Sequence, residues 1–174
     1  MISQNSFQIS KNWWNQFPYS LRLITKIRFY AAFGAGGVIY LTSLIFNNIG
    51  LSATVIGLGF TISAIIGTLT RFFTGNYLNK TGKIQLPLIT SSILSIIASL
   101  FFICSRETFL YIIGQSFVGA AAGIYWPAAE FGVPYFCHPI DTRKAYSLVR
   151  SSEALGIFLG VFLGGFLTNF LYSK

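Results

Sequence analysis

The chain has 174 residues, of which 53% are hydrophobic and only 9% charged, and its mean hydropathy is +0.65. Soluble domains carry about 25% charged residues, so this sequence cannot cover a water-facing surface, and a soluble enzyme is excluded. Twelve Lys and Arg against four Asp and Glu leave a net charge of +8. The cations fall between long apolar runs, which points to a polytopic membrane protein rather than to a nucleic-acid partner.

Two cysteines, Cys104 and Cys137, are too few and too far apart for a disulfide framework or a thiolate metal site. His138 is the single imidazole, set beside Pro139 in a loop, and no metal or cofactor is expected.

Residues 1–28 form an N-terminal segment placed in the cytoplasm. They lack the short apolar core and small-residue cleavage site of a signal peptide. Trp13, Trp14, Phe17 and Tyr19 alternate with Lys11, Arg22 and Lys26. That mixture suits a segment at the headgroup level, and a disordered tail with sticky aromatics is the other reading.

Crossing the hydrocarbon core takes roughly 20 apolar residues as a helix. Five runs meet this: 29–47, 53–75, 86–104, 109–130 and 148–172. Backbone groups in lipid must be satisfied within the segment, so helix is favoured over strand. The fold class is therefore all-α, a polytopic transmembrane helical bundle. Short connectors at 47–52, 76–85, 105–108 and 135–147 make successive spans antiparallel neighbours.

Orientation follows the Lys and Arg of the loops. Lys11, Arg22, Lys26, Arg28, Arg71, Lys80, Lys83, Arg143, Lys144 and Arg150 fall on one side, and Arg106 and Lys174 on the other. The N-terminus is expected in the cytoplasm and the end of span five outside.

Span two ends in Arg71-Phe-Phe-Thr-Gly75-Asn-Tyr-Leu78-Asn79-Lys80-Thr-Gly82-Lys83. Gly75 removes a side chain where a helix could approach, and Gly82 supplies the backbone freedom of a tight turn. An ordinary basic loop explains these features as well. Span four carries Gln115-Ser-Phe-Val-Gly119-Ala-Ala-Ala-Gly123, and the next connector Asp141-Thr-Arg143-Lys144-Ala145. In span five, Gly156, Gly160 and Gly164, followed by Gly165, stand four apart, so their shared face lets a second backbone come close.

These stretches resemble the major facilitator superfamily. The loop after span two is similar to that family's G-x-L-a-D-R-x-G-R/K signature, with Asn79 in place of the acid. Span five resembles its antiporter-type G-x-x-x-G-P-x-x-G-G motif, with Val161 in place of Pro. Span four resembles R-x-x-x-G-x-G, with Gln115 in place of Arg, and 141–146, through Tyr146, resembles a D-x-x-R-x-x-A-type turn. The resemblance runs from about residue 28 to the end.

It implies a partial N-terminal bundle over 29–174, short of its sixth helix, within a secondary transporter that works by alternating access. Partners implied are a small-molecule substrate, H+ as coupling ion, the lipid bilayer of the cell membrane and the C-terminal half of the transporter. The antiporter-like motif implies efflux of drugs, sugars or other small organic molecules. The loop of Arg71, Gly75, Asn79, Lys80, Gly82 and Lys83 is implied to be a conformational latch. Three explanations of the five-span length stay open: a fragment, a remnant of a decayed gene, or a small membrane protein that assembles through Gly156, Gly160 and Gly164.

Other polar residues have two readings each. Gln115, with Gly119, either lines a substrate path or hydrogen-bonds between helices. Glu153 either couples protons or forms an ordinary i,i+3 pair with Arg150 at a solvated helix start; the same holds for Glu130 at the end of span four. Tyr40, Asn47, Tyr125 and Trp126 either face a central cavity or pack.

Overall fold

The structure is a computed structural model that describes residues 13–105, 107–137 and 141–172, and the side chains of Tyr40, Asn169, Leu171 and Tyr172 lie outside the description. Lys11, Arg106, His138 and Lys174 also lie outside the described residues. Five long helices run through the described residues: α1 (Tyr19–Asn48), α2 (Ala53–Thr81), α3 (Gln85–Cys104), α4 (Thr108–Phe136) and α5 (Thr142–Tyr172). No strand occurs among the described residues. All five helices are long and apolar enough to cross a membrane.

The helices coincide with the five apolar runs at one end and overshoot them at the other. The additions are 19–28, 76–81, 131–136 and 142–147, and the described cations other than Arg71 and Arg150 fall in them or in the connectors beside them. Apolarity measures the hydrocarbon thickness, whereas the helix itself continues wherever its backbone bonds can close. The segment expected as a connector at 76–85 is therefore mostly helix, and only residues 82–84 link α2 to α3.

Local signals explain the ends. The Ser52 hydroxyl accepts the Val55 N–H at 3.3 Å and caps α2. Gly82 stops α2 in the left-handed region, with φ of 65°, and its N–H reaches the Leu78 carbonyl at 2.8 Å. Asp141 accepts the Arg143 N–H at 2.9 Å, and α5 starts there.

The chain divides into two compact units, one of Met1–Leu41 with Val133–Lys174 and one of Thr42–Gly132. In the first, Phe17, Leu21, Val133, Cys137, Ala145 and Val149 form a buried cluster. Phe17 precedes α1, so the turn that holds Trp13 and Trp14 is folded onto the helix ends rather than trailing away. In the second unit Phe46, Leu51, Ile56 and Tyr111 are buried together, with Phe102 against them.

Both units also bury polar groups and expose large apolar ones. Thr25, Arg28, Thr42, Thr74, Ser91, Gln115 and Thr168 are buried, while Ile65, Ile96, Ile103, Phe158, Phe166 and Phe170 are exposed. Lipid solvates large apolar side chains at no cost, so polar and small groups take the helix interfaces.

Candidate functional site

Among the described residues the most deeply buried charged side chain is Arg28, 1% exposed. It sits on the buried face of α1 defined by Leu21, Thr25 and Ala32. Its guanidinium donates to the Glu153 carboxylate of α5 at 2.5 Å. Arg150, one turn earlier on α5, donates to the same carboxylate at 3.2 Å from a half-exposed position. Beside them the Ser152 hydroxyl lies 3.3 Å from the Thr25 carbonyl. The i,i+3 pair expected from spacing is present, but Glu153 is the hub of two guanidinium groups and not a residue of a solvated helix start.

Sequence reasoning counted Arg28 among the loop cations and missed this role. The signal was available: Leu21, Thr25, Arg28 and Ala32 recur at helical spacing and mark one face.

Above the ion pair, α1 and α5 run parallel and touch through glycines. A Cβ on Gly156 would stand 2.5 Å from the Phe29 carbonyl oxygen, and one on Gly160 would meet Phe33 and the Gly37 nitrogen. From the other side, a Cβ on Gly36 would stand 2.6 Å from the Ile157 carbonyl oxygen. The glycine face of span five is therefore covered by α1 of the same chain. Gly164 is buried and Gly165 half-buried, continuing the series. Gly36 and Gly37 were not singled out from the sequence, although they supply half of the contact.

The second unit repeats the device between α2 and α4, which also run parallel. A Cβ on Gly119 would strike the Ser63 backbone, and one on Gly123 would strike the Gly67 backbone and the Thr70 hydroxyl. Gly59 leaves the room that the Tyr111 ring fills, 2.5 Å from where a Cβ would stand. The Tyr111 hydroxyl donates to the Ile56 carbonyl at 3.1 Å and accepts from the Gln115 amide at 3.2 Å. Gln115 is 2% exposed and Tyr111 fully buried. The Gln115 amide thus bonds within α4, and Tyr111 carries the link to α2.

The basic stretch after α2 is placed as follows. Arg71, Asn79, Lys80, Gly82 and Lys83 are exposed, and Leu78 between them is buried. No atom lies within 4 Å of where a Cβ on Gly75 would stand. Asn79 and Lys80 ride on the last turn of α2 rather than in a loop, and the Lys83 N–H donates to the Thr81 hydroxyl at 3.3 Å. Tyr125 and Trp126 stack edge to face at 5.0 Å in α4, and Glu130 lies half-buried one turn on. Asn47 is exposed at the end of α1.

No group of three or more His, Cys, Asp or Glu that could hold a metal ion occurs among the described residues.

Residues 27–173 match the family model described as Major Facilitator Superfamily. No curated protein and no solved structure matches the chain.

Proposed function

The chain belongs to the major facilitator superfamily, a family of membrane transporters, and from that premise we propose that it carries a small organic solute by alternating access, in the direction of efflux. The observation that carries the reading is the family match over residues 27–173, laid on five helices that can each cross a bilayer. The protein is an integral membrane protein. The excess of cations at the helix ends near residues 22–28, 71–83 and 143–150 supports a cytoplasmic N-terminus in the cell membrane.

In this reading the exposed Arg71, Asn79, Lys80 and Lys83, with the open backbone at Gly75, latch onto a second bundle that supplies the other wall of the solute cavity. Asn79 meets that bundle by hydrogen bond alone, since it brings no charge to a helix dipole. The similarity of the Gly156–Gly165 series to antiporter-type members supports exchange of the solute for H+. Assembly with another chain through Gly156 and Gly160 is disfavoured, because α1 already occupies that face.

The test is solute accumulation in inverted membrane vesicles from cells that express the protein, across a panel of cationic, sugar-like and amphiphilic organic solutes. Uptake above empty-vector vesicles that a protonophore abolishes is the expected result. Uptake that survives the protonophore removes H+ from the mechanism. No uptake across the panel in either vesicle orientation overturns the reading.

A further inference from the structure

The turn that leads into α1 is held by very little. Of residues 13–18 only Phe17 is buried; Trp13, Asn15 and Gln16 are exposed, and Trp14 and Pro18 half-buried. The Phe17 ring packs with Leu21 of α1, with Val133 of α4 and Cys137 just past its end, and with Ala145 and Val149 of α5. One side chain therefore meets the ends of three helices. The Cys137 thiol lies at that junction, donating to the Pro134 carbonyl at 3.3 Å and standing 3.6 Å from the Thr142 hydroxyl at the start of α5. The backbone bonds of the turn close within it: the Gln16 N–H donates to the Trp13 carbonyl at 3.2 Å and the Phe17 N–H to the Trp14 carbonyl at 3.3 Å. Pro18 has no N–H, and its carbonyl accepts the Arg22 N–H at 3.0 Å as the first bond of α1. The turn can thus swing ahead of Pro18 while α1 keeps its bonds. One side-chain tie crosses this hinge, from the Arg22 guanidinium to the Asn15 carboxamide oxygen at 2.9 Å, in an exposed position.

We propose that residues 13–17 are a strap, hinged at Pro18, that closes over the junction of α4 and α5 and opens as one piece to uncover Cys137. Two contacts shut it, the Phe17 ring between the helix ends and Asn15 on Arg22. A segment held by one buried ring and one exposed hydrogen bond belongs to the low-stability end of a fold and opens without unfolding the helices beneath it. Trp13 and Trp14 pack on Phe17, with ring centroids 5.1 and 6.4 Å away, so the three aromatic rings leave together. While the strap is shut, Phe17 ties the end of α4 to the start of α5; when it opens, that tie is lost and the thiol between them meets solvent.

The experiment is the rate at which N-ethylmaleimide modifies Cys137 in the full chain carrying Cys104→Ser, in detergent, followed by intact-protein mass. The parent is expected to react far more slowly than the unfolded chain. Phe17→Ala is expected to speed the reaction at least tenfold. Asn15→Ala lies outside the buried cluster and reaches the thiol only through the hinge. It is expected to speed the reaction roughly threefold, the share of one hydrogen bond, with the melting temperature of the parent. This variant carries the test even where Phe17→Ala fails to fold. A parent rate in Asn15→Ala overturns the proposal, because helix fluctuations rather than opening of the turn would then expose the thiol. A parent that reacts as fast as the unfolded chain overturns it as well, since nothing would then cover Cys137.

Discussion

Arg28 of α1 and Glu153 of α5 form an ion pair with the guanidinium almost wholly removed from solvent, at the point where the two parallel helices begin their glycine-lined contact. Two charges in such a place attract strongly but have both lost their solvation, so the pair and its removal have different consequences. Glu153→Ala removes the carboxylate that the buried guanidinium faces and is expected to lower stability by about 3–5 kcal/mol. Replacing both residues, Arg28→Met with Glu153→Leu, is expected to restore most of it. A double-mutant cycle on thermal unfolding in detergent reads both effects. Equal losses for the single and double variants would show that the pair is not coupled.

The glycines separate into two classes that look alike in sequence. Gly156→Ala and Gly160→Ala place a methyl group into the backbone of α1, which cannot yield as a flexible side chain would. Both variants are expected to melt several degrees lower than the parent chain. Gly34→Ala and Gly57→Ala meet nothing within 4 Å and gain up to about 1 kcal/mol of helix propensity. These two should melt at the parent temperature or above it, and a common shift for all four would contradict the assignment of contacts.

This distinction shows how much was legible beforehand. Hydropathy places all five helices, because lipid imposes a length that apolar residues must fill. It misses the basic ends of α1, α2 and α5, where Tyr19, Thr81 and Thr142 bound helix that carries Lys and Arg, and it stops α4 short of Phe136. Gly156 and Gly160 are visible as a spaced series, yet their partners Phe33 and Gly37 lie on a helix more than a hundred residues away in sequence. Arg28 reads as one more cation of a positive end until Glu153 is seen to face it. Spacing along one helix is a local property, whereas the pairing of helices is not.

In the second unit the hydroxyl of Tyr111 bonds both the Ile56 carbonyl and the Gln115 amide. Tyr111→Phe removes the bond to Ile56 and leaves the buried Gln115 amide without its acceptor. Gln115→Leu leaves the bond from Tyr111 to Ile56 in place. The phenylalanine variant is therefore expected to be the less stable of the two, by about 1 kcal/mol. Chemical denaturation of the detergent-solubilised chain, ranked across both variants, checks the order, and the reverse order would place the strain elsewhere.

Gly82 adopts φ of 65° where α2 gives way to the connector. An alanine there carries the penalty of a left-handed backbone, about 1 kcal/mol. Limited proteolysis after Lys80 or Lys83 should speed up in Gly82→Ala and remain slow in Gly75→Ala, whose Cβ has free space.

The two cysteines turn the orientation into a measurement. Cys104 is the exposed last residue of α3, at the end of the helix opposite its basic connector. Cys137 is buried in the first unit, with its thiol 3.3 Å from the Pro134 carbonyl. A membrane-impermeant maleimide added to intact cells should therefore label one thiol, and Cys104→Ser should abolish the signal while Cys137→Ser preserves it. Labelling without permeabilisation places Cys104 outside, and two spans earlier it places the start of α1 in the cytoplasm. Labelling that requires permeabilised cells reverses the topology. It would also mean that the basic helix ends of α1, α2 and α5 lie outside, against the charge bias that orients most short-looped membrane proteins.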